Sequence, residues 1–585
     1  MRGLITTLNS KFTHSALSIR YLQKCIQKSG REIELKEYTI NHRHEYILSE
    51  IYKEKYDFIG FSCYIWNFNQ IIDLCRNLKK LSPNLKIALG GPEVSYDPVE
   101  IMKMYPFIDF ISVGEGELSF TELYSNIYDG TEDFESVKGI VHRKEEQVVE
   151  NTPQGLIEDL DIIPFPYDDQ LTDLDNRIIY YESSRGCPFN CQYCLSSTIK
   201  GVRMFSLERV KKDLQFFLDR KVMQVKFVDR TFNANKKHSF EILKYLYENN
   251  NGVTNFHFEI TASLLDEEML EFLKDMPEGL FQFEVGVQST NDETIEAIDR
   301  KVAFERVAEH CLRISSYHNI HLHLDLIVGL PHENLESFKK SFNDVYYLKP
   351  EKLQLGFLKL LKGSGLRVNE DEFGYVYNNL APYEIFYNKY ITFDEVLLLK
   401  EVEELVESYY NGHRFDHSIE FLIKKHFDDN PIEFYMDFVE YWESAGLHHV
   451  SHKSNALYGI LMEYYENRGY EGNQVFRQIV KYDYYKNNSK KSFNLFEEWE
   501  IEDFSNRCHQ FLKDEENVDK YLPVFKGVPA KNIIKQVHFE AFKMDIEKFI
   551  DSGYEEISEE TSIMLFDYKL DRKVFARSKN YKVEI

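Results

Sequence analysis

Three cysteines within eight residues constrain this chain more than any other feature of its sequence. Cys187, Cys191 and Cys194 have the spacing CxxxCxxC, and Tyr193 stands directly before the last of them. They follow a strand-like segment that begins a series of alternating strands and helices, so the loop is expected at the end of a strand. Three thiolates from one short loop can ligate three irons of a [4Fe-4S] cluster and leave the fourth iron without a protein ligand.

Other uses of such cysteines fit the spacing less well. A structural zinc site usually has four ligands, and no fourth cysteine or histidine lies near this loop. A redox pair would be a CxxC motif in a different fold. An open iron can chelate the amino and carboxylate groups of S-adenosylmethionine (SAM) and place its sulfonium beside the cluster. The loop therefore predicts a cluster that cleaves SAM reductively.

Composition excludes several classes of protein. The formal net charge of −27 disfavours a nucleic-acid partner, because such binding depends on Lys and Arg neutralising phosphates. No apolar run reaches the ~18 residues of a membrane helix, and the first residues do not resemble a secretory signal. The other five cysteines are scattered, unlike a disulfide framework. We therefore predict a cytoplasmic protein without a membrane partner.

The alternation of short apolar runs with amphipathic stretches predicts an α/β fold with three domains. Residues 1–150 are predicted to form a Rossmann-like domain, with strands at 3–5, 33–35, 58–61, 87–89 and 110–113 and a hairpin at 138–149. Residues 151–176, which contain two prolines in one short segment, are predicted to be a linker. Residues 177–394 are predicted to form a partial TIM-type barrel, with strands at 178–182, 225–228, 256–260, 281–287, 321–328 and 352–358.

The last part of the chain, 395–585, is aromatic-rich and is predicted to be a mainly helical domain. Helical periods occur at 402–409, 432–441 and 537–550. No motif in this part indicates its chemistry.

Polar residues recur with period two on the predicted barrel strands, so each set is expected on one face. Buried polar side chains are costly without partners, and a ligand with a ribose, an amine and a carboxylate would supply them. The sets are His257 and Glu259, then Gln282, Glu284, Gly286 and Gln288, then His321, His323 and Asp325.

Several strings, together with the cysteine loop, resemble a known family. They are Gly90-Gly91-Pro92-Glu93, Gly114-Glu115-Gly116-Glu117, LGFLKLLKGSGL and APYE. The chain resembles radical SAM enzymes with an N-terminal cobalamin-binding-type domain, and more narrowly an uncharacterised clostridial-type subgroup. This resemblance implies a [4Fe-4S] cluster on the three cysteines, SAM, a small-molecule substrate and an external electron donor such as flavodoxin.

The resemblance also implies roles for individual residues of the SAM site. Glu259 would meet the SAM ammonium, Gln288 and Asp325 the ribose hydroxyls, and Arg300 the carboxylate. Tyr193, Ile327, Gly329, Leu330 and Pro331 would lie near the adenine. The alternative is that these are ordinary barrel or surface residues.

Substrate handling has its own candidates. Glu284, Asp229 and His323 are the predicted catalytic residues, with His257 and Arg230 on the same side; Asp229 could also bind SAM. A purely structural role for each of them stays open.

Cobalamin binding is left open by the sequence. Cobalamin domains of the methionine-synthase kind have DxHxxG in their first loop, with the histidine on cobalt. Here His14 lies in that region, but the Asp and the Gly are missing. The domain therefore either binds cobalamin or retains only its fold.

Three functions compete. In the first, a 5′-deoxyadenosyl radical abstracts hydrogen from the substrate, which then fragments; the candidate is a queuine lyase that releases 7-aminomethyl-7-deazaguanine, a 7-deazapurine, in queuosine precursor salvage. In the second, cobalamin delivers a methyl group and the chain is a radical SAM methyltransferase. In the third, the chain is a degenerate binding protein.

Overall fold

The computed structural model describes residues 1–145, 147–168, 171, 174, 177–488, 495–496, 501–558, 560–569 and 578–585. Six positions of the predicted linker 151–176, namely 169, 170, 172, 173, 175 and 176, lie outside the described residues. The chain divides into two compact units. The first contains Met1–Leu322, Ile327–Leu335 and Gly356–Phe393, and the second contains His323–Leu326, Glu336–Leu355 and Asp394–Ile585.

The first unit begins with a seven-stranded sheet of order β2-β1-β3-β4-β5-β6-β7. Strands β1 to β5 are parallel, and β6 and β7 extend the sheet as an antiparallel hairpin. The elements are β1 Gly3–Asn9, α1 Leu17–Lys28, β2 Glu34–Thr39, α2 His44–Lys53, β3 Phe58–Ser62, α3 Phe68–Leu81, β4 Lys86–Gly90, α4 Pro92–Ser95, α5 Pro98–Met104, β5 Phe110–Ser112, α6 Gly116–Asp129, β6 Ile140–Lys144 and β7 Gln147–Glu150.

Both faces of this sheet are covered by helices, because its parallel strands are apolar on both sides. One core cluster packs the sheet against α2, α3 and α5, and another packs it against α1 and α6. Neighbouring residues of one strand belong to opposite clusters, as Leu4 and Ile5 show on β1 and Ala88 and Leu89 on β4. The predicted Rossmann-like alternation and the hairpin are confirmed in this part of the chain.

The next sheet has the strand order β15-β14-β13-β12-β11-β8, with β8, β11, β12 and β13 pairing in parallel. The described strands form an open sheet, as a partial barrel requires. A separate antiparallel pair, β9 and β10, holds the first cysteine of the loop. The elements are β8 Ile179–Tyr181, β9 Ser184–Cys187, β10 Gly201–Met204, α7 Leu207–Asp219, β11 Gln224–Phe227, α8 Lys236–Glu248, β12 Asn255–Ile260, α9 Glu267–Lys274, β13 Phe281–Gln288, α10 Asp292–Ala297, α11 Phe304–Ser315, β14 His321–Val328, α12 Leu335–Tyr346, β15 Lys352–Phe357, α13 Gly365–Val368, α14 Glu370–Phe373, β16 Val376–Tyr377 and β17 Ile385–Tyr387.

The C-terminal part is mainly helical, as predicted, and it also contains an antiparallel sheet of order β18-β19-β20. Its elements are α15 Phe393–Tyr409, α16 Asp416–His426, α17 Pro431–Ser444, α18 Ala456–Asn467, α19 Asn473–Asn487, α20 Phe504–Phe511, α21 Glu515–Tyr521, α22 Ala530–Ile533, β18 Val537–Phe542, α23 Ile546–Asp551, β19 Ser562–Asp567 and β20 Lys579–Val583. The prediction of one helix over 537–550 is wrong. Val537, Phe539 and Ala541 are buried and alternate with less buried residues, which is the period of a strand.

None of the helices in the described residues combines the length and the apolar character needed to cross a bilayer.

Leu89 tests how strongly the first sheet depends on its core. It is fully buried on the central strand β4, so we expect Leu89→Ala to lower the free energy of unfolding by about 2–5 kcal/mol. The measurement is a urea titration followed by circular dichroism. Leu81→Ala is the matched control, because Leu81 is 49% exposed at the end of α3. Equal effects of the two substitutions would contradict this description of the core.

Candidate functional site

The cysteine loop connects β9 to β10, the two strands of the antiparallel hairpin. Cys187 is paired with Gly201, and Arg185 with Arg203. Gly186 has a φ of 97°, which L side chains rarely adopt, and a Cβ there would lie 2.1 Å from the backbone oxygen of Gly201. A glycine is therefore required immediately before the first cysteine.

The three thiols have separate surroundings within this loop. Cys187 Sγ lies 3.5 Å from Thr231 Oγ1, and Cys194 Sγ accepts a hydrogen bond from the Ser196 amide. Cys191 is buried, which raises the pKa of its thiol, while the nearby Arg300 guanidinium opposes that rise. None of the three thiols is in a disulfide. A loop with three free thiols and backbone support fits a cluster that takes three thiolates.

Hydrogen bonds fix the backbone of the loop on its far side. The Gln192 amide donates to the Ile298 oxygen over 3.0 Å, and the Gln192 oxygen accepts from the Leu366 amide over 2.9 Å. The Asn190 side chain donates to Asp299 over 2.7 Å. The loop is therefore held from two separate segments of the first unit.

Arg300 joins the loop to β13. Its Nη1 donates to the Tyr193 hydroxyl over 3.0 Å and lies 3.8 Å from Cys191 Sγ, while its Nη2 donates to the Gly286 oxygen. Gln288 lies beside this group, since its Nε2 would lie 2.1 Å from a Cβ added at Gly286. The structure thus brings together Tyr193, Gln288 and Arg300 next to Cys191.

Gln288 has two features that fit a ligand contact. Its φ is 73°, uncommon for a residue other than glycine, and its side-chain Oε1 is buried without a hydrogen-bond partner in the described residues. A bound hydroxyl would satisfy this oxygen, which is consistent with the predicted ribose contact.

Two predicted adenine residues lie at the end of β14. Ile327 is half-buried, and Gly329 follows it with a φ of 91°. The Gly329 oxygen accepts hydrogen bonds from the Tyr375 hydroxyl and the Asn388 side chain, so its backbone position is fixed. His323 and Asp325 occupy the same half-buried face of β14 as Ile327 and alternate with fully buried leucines. The predicted period-two pattern of this strand is confirmed.

Polar side chains at two successive levels of the paired strands form a polar row across β8, β11, β12 and β13. Tyr180 is paired with Lys226, Lys226 with His257, and Glu259 with Glu284. Glu284 Oε2 lies 2.9 Å from Lys226 Nζ and 3.0 Å from His257 Nε2. Lys226 and Tyr180 were not among the predicted residues, although the same period-two rule applied to β8 and β11 would have found both.

The two carboxyl groups of this row differ in acidity. Burial raises the pKa of Glu259 to about 7, and the negative charge of Glu284 adds to the rise. Burial alone would also raise the pKa of Glu284, but His257 and Lys226 hold it at about 2. The row therefore contains one permanently ionised carboxylate beside one that changes charge near neutral pH.

Asp229 is fully buried and has a different environment from the one predicted. Its carboxylate accepts from the Ser183 amide over 2.9 Å and from the hydroxyls of Ser183 and Ser184 over 2.7 and 2.5 Å. These contacts attach the end of β11 to the residues that begin β9. They favour an anchoring role, and the predicted catalytic role of Asp229 stays a prediction.

The first loop of the N-terminal domain has a specific contact with the barrel. His14 Nδ1 is hydrogen-bonded to the Tyr180 hydroxyl, and burial lowers the pKa of His14. Tyr64 and Trp66 follow β3 and stack with ring centroids 4.4 Å apart, and Trp66 is 44% exposed. This aromatic pair at the strand end, half-buried at Tyr64 and exposed at Trp66, fits a large planar ligand such as cobalamin.

Three family models match consecutive parts of the chain. They are a B12-binding domain at residues 3–124, the radical SAM superfamily at 181–345 and a protein family of unknown function, DUF4080, at 371–566.

Two curated relatives are methyltransferases. The chain is 27% identical over 302 residues to the cobalamin-dependent radical SAM methyltransferase TokK of Streptomyces tokunonensis, and 27% identical over 299 residues to 2-(S-pantetheinyl)-carbapenam-3-carboxylate methyltransferase of Streptantibioticus cattleyicolor. Each alignment covers 48% of this chain and 44% of the relative, so the chain spans less than half the length of either protein.

Among solved structures, the cobalamin-dependent SAM radical enzyme OxsB superposes with a TM-score of 0.57 at 15% identity, covering 82% of this chain and 79% of that one. This similarity concerns the fold. Together with the family models it confirms the predicted fold class, and the chain combines an N-terminal B12-binding domain with a radical SAM domain. The radical SAM model confirms the predicted [4Fe-4S] cluster and SAM as cofactors of this architecture, and the B12-binding model supports cobalamin as a further one.

Gly186 and Gly201 provide a matched test of the loop. Both have positive φ, but a Cβ at Gly201 meets no atom within 4 Å, whereas one at Gly186 meets backbone. We expect Gly186→Ala to lower the iron bound after reconstitution far more than Gly201→Ala does, since only Gly186→Ala adds a clash to a strain of about 1–3 kcal/mol. Iron per protein chain is the measurement, and equal iron in both variants would contradict the expectation.

Proposed function

We propose that this radical SAM protein is a cobalamin-dependent methyltransferase that acts on a small molecule. The observation that carries the proposal is a B12-binding domain followed, in the same chain, by a strand-end loop with three free cysteines. The names of the two relatives support methyl transfer. The fragmentation reaction suggested by the sequence, with queuine lyase as its example, has no support from these relatives and gives way to the methyltransferase.

Each cofactor is assigned to residues with suitable chemistry. When bound, the cluster supplies the electron that cleaves SAM, and cobalamin supplies a carrier for the methyl group. Cys187, Cys191 and Cys194 would hold the cluster. Arg300 and Tyr193 lie against Cys191. Arg300 would therefore orient the SAM carboxylate, and Tyr193 the adenine ring, beside this cysteine.

The remaining SAM contacts would come from the strand faces. Glu259 would accept from the SAM amine, and Gln288 Oε1 would accept from a ribose hydroxyl. Asp325 on β14 is the second ribose candidate, and Ile327 and Gly329 would flank the adenine.

The substrate would lie against the polar row of β11 to β13. Glu284 stays ionised because His257 and Lys226 contact it, so it would bind a hydrogen-bond donor or a cation on the substrate. His323 and Asp229 are the other catalytic candidates. An external low-potential electron donor such as flavodoxin would supply the reducing equivalent.

The cofactors can be tested with one pair of variants. The chain is purified anaerobically, reconstituted with iron, sulfide and hydroxocobalamin, and assayed for bound iron, retained corrinoid and 5′-deoxyadenosine or methyl products from SAM. Cys191→Ala should lose the cluster and all SAM cleavage but retain the corrinoid, because the thiolate is a cluster ligand only. Cys25→Ala is the control, since Cys25 is a free cysteine on α1, outside the loop.

Two outcomes would contradict the proposal. Turnover of SAM by Cys191→Ala would remove the assigned ligands. A wild-type chain that cleaves SAM without retaining any corrinoid would favour fragmentation over methyl transfer.

Glu259 predicts a pH dependence of SAM binding. Because its pKa is raised to about 7, the carboxyl group takes up a proton as the pH falls below 7 and loses the negative charge that attracts the SAM ammonium. Binding should weaken by up to about tenfold per pH unit below this value. Isothermal titration of the cluster-loaded chain measures this dependence.

The SAM amine titrates as well, so the informative quantity is the difference between wild type and Glu259→Gln. That variant should show a shallower pH dependence, whereas Glu278→Gln, at an exposed position, should match wild type. If Glu259→Gln and wild type have the same pH profile, Glu259 does not contact the amine.

A further inference from the structure

An ionic cluster surrounds Arg185, two residues before the first cysteine. Arg185 Nη2 lies 2.7 Å from Glu182 Oε1 and also contacts Glu117, and its Nη1 lies 3.5 Å from Glu115 Oε1. The side chains of all four residues are between 9% and 13% exposed. Glu115 and Glu117 belong to the N-terminal domain, at the start of α6, so the cluster joins that domain to β9.

The opposite strand of the hairpin is held by one of the same glutamates, Glu115. Arg203 lies across from Arg185, and its two Nη atoms bind the two oxygens of Glu115 over 2.6 and 3.0 Å. Such a bidentate pair fixes orientation as well as distance. Glu115 also accepts from the Ile157 amide. Both strands that lead into and out of the cysteine loop are therefore tied to the start of α6.

A third glutamate of the N-terminal domain reaches the other support of the loop. Glu93 is 2% exposed, lies 3.2 Å from Lys362 Nζ and accepts from the Tyr383 hydroxyl. The segment after Lys362 includes Leu366, whose amide donates to the oxygen of Gln192, next to Cys191. The loop thus has ionic supports from the N-terminal domain on both of its sides.

We propose that Glu93, Glu115 and Glu117 are positioning residues that set the cysteine loop against the B12-binding domain. Buried ion pairs add little net stability compared with apolar packing, but their directional contacts specify one arrangement. In this chain the ion pairs would fix the position of the three cysteines relative to the B12-binding domain. The inference rests on the iron-sulfur cluster of the proposed function. It assigns the glutamates of the strings at 90–93 and 114–117 a role other than contact with cobalamin.

Glu117→Gln tests this role, because it removes the charge and keeps the size of the side chain. In the metal-free chain, hydrogen exchange should become faster in peptides covering 184–204, while peptides from β1 to β4 stay unchanged. In the reconstituted chain, the electron paramagnetic resonance spectrum of the reduced cluster with SAM should change, and SAM cleavage should fall by about 10- to 100-fold. Glu122→Gln, an exposed residue of the same helix, should behave as wild type in all three measurements.

A second comparison separates positioning from loss of folding. Arg203→Lys keeps the charge and loses the bidentate geometry, so it should show the same changes to a smaller degree while the thermal unfolding midpoint stays near that of wild type. If Glu117→Gln does not fold, Arg203→Lys decides the question in the same assays. Wild-type exchange and an unchanged spectrum in the folded variant would overturn the inference. A wild-type chain that forms no cluster would instead overturn the proposed function.

Discussion

Arg185 carries a positive charge into a junction whose side chains are largely buried. Burying an unpaired charge costs several kcal/mol, so this arginine is compatible with the fold only while its carboxylate partners are in place. Burial raises the pKa of Glu182, and the Arg185 charge opposes that rise. The hairpin of β9 and β10, the start of α6 and the loop with the three cysteines therefore depend on one set of charges. Such ion pairs fix the relative position of these segments more than they add to the free energy of unfolding.

The same balance of burial and charge operates inside the barrel, with a different result. Glu259 and Glu284 are register partners on adjacent strands, yet one is held ionised by His257 and Lys226 while the other takes up a proton near neutral pH. Two glutamate side chains therefore differ in pKa because their neighbours differ. Under the proposed function, Glu259 would meet the SAM amine and Glu284 a hydrogen-bond donor or cation on the substrate.

Sequence periodicity predicted most of the scaffold, since buried parallel strands and amphipathic helices leave clear patterns. The bounds of β14 match the prediction, and the grouping of His257 with Glu259 on one strand and of Gln282 with Glu284 on the next follows from alternation along each strand. The β9–β10 hairpin was missed because its residues, Ser184–Cys187 and Gly201–Met204, are mostly polar or glycine. Contacts such as that between Arg185 and Glu117, 68 residues apart, leave no local pattern at all. The position of Asp229 at a strand end likewise does not reveal that the hydroxyls of Ser183 and Ser184 donate hydrogen bonds to its carboxylate.

The hydrogen bond between His14 and Tyr180 bears on how the N-terminal domain can hold its cofactor. The imidazole nitrogen that faces Tyr180 is already engaged, and the depressed pKa of His14 keeps the ring neutral at physiological pH. Thr13 and Ser15 also hydrogen-bond to Ile178, so the first loop stays attached to the first barrel strand at several points. A role of His14 in holding cobalamin would therefore fall to its other ring nitrogen, Nε2.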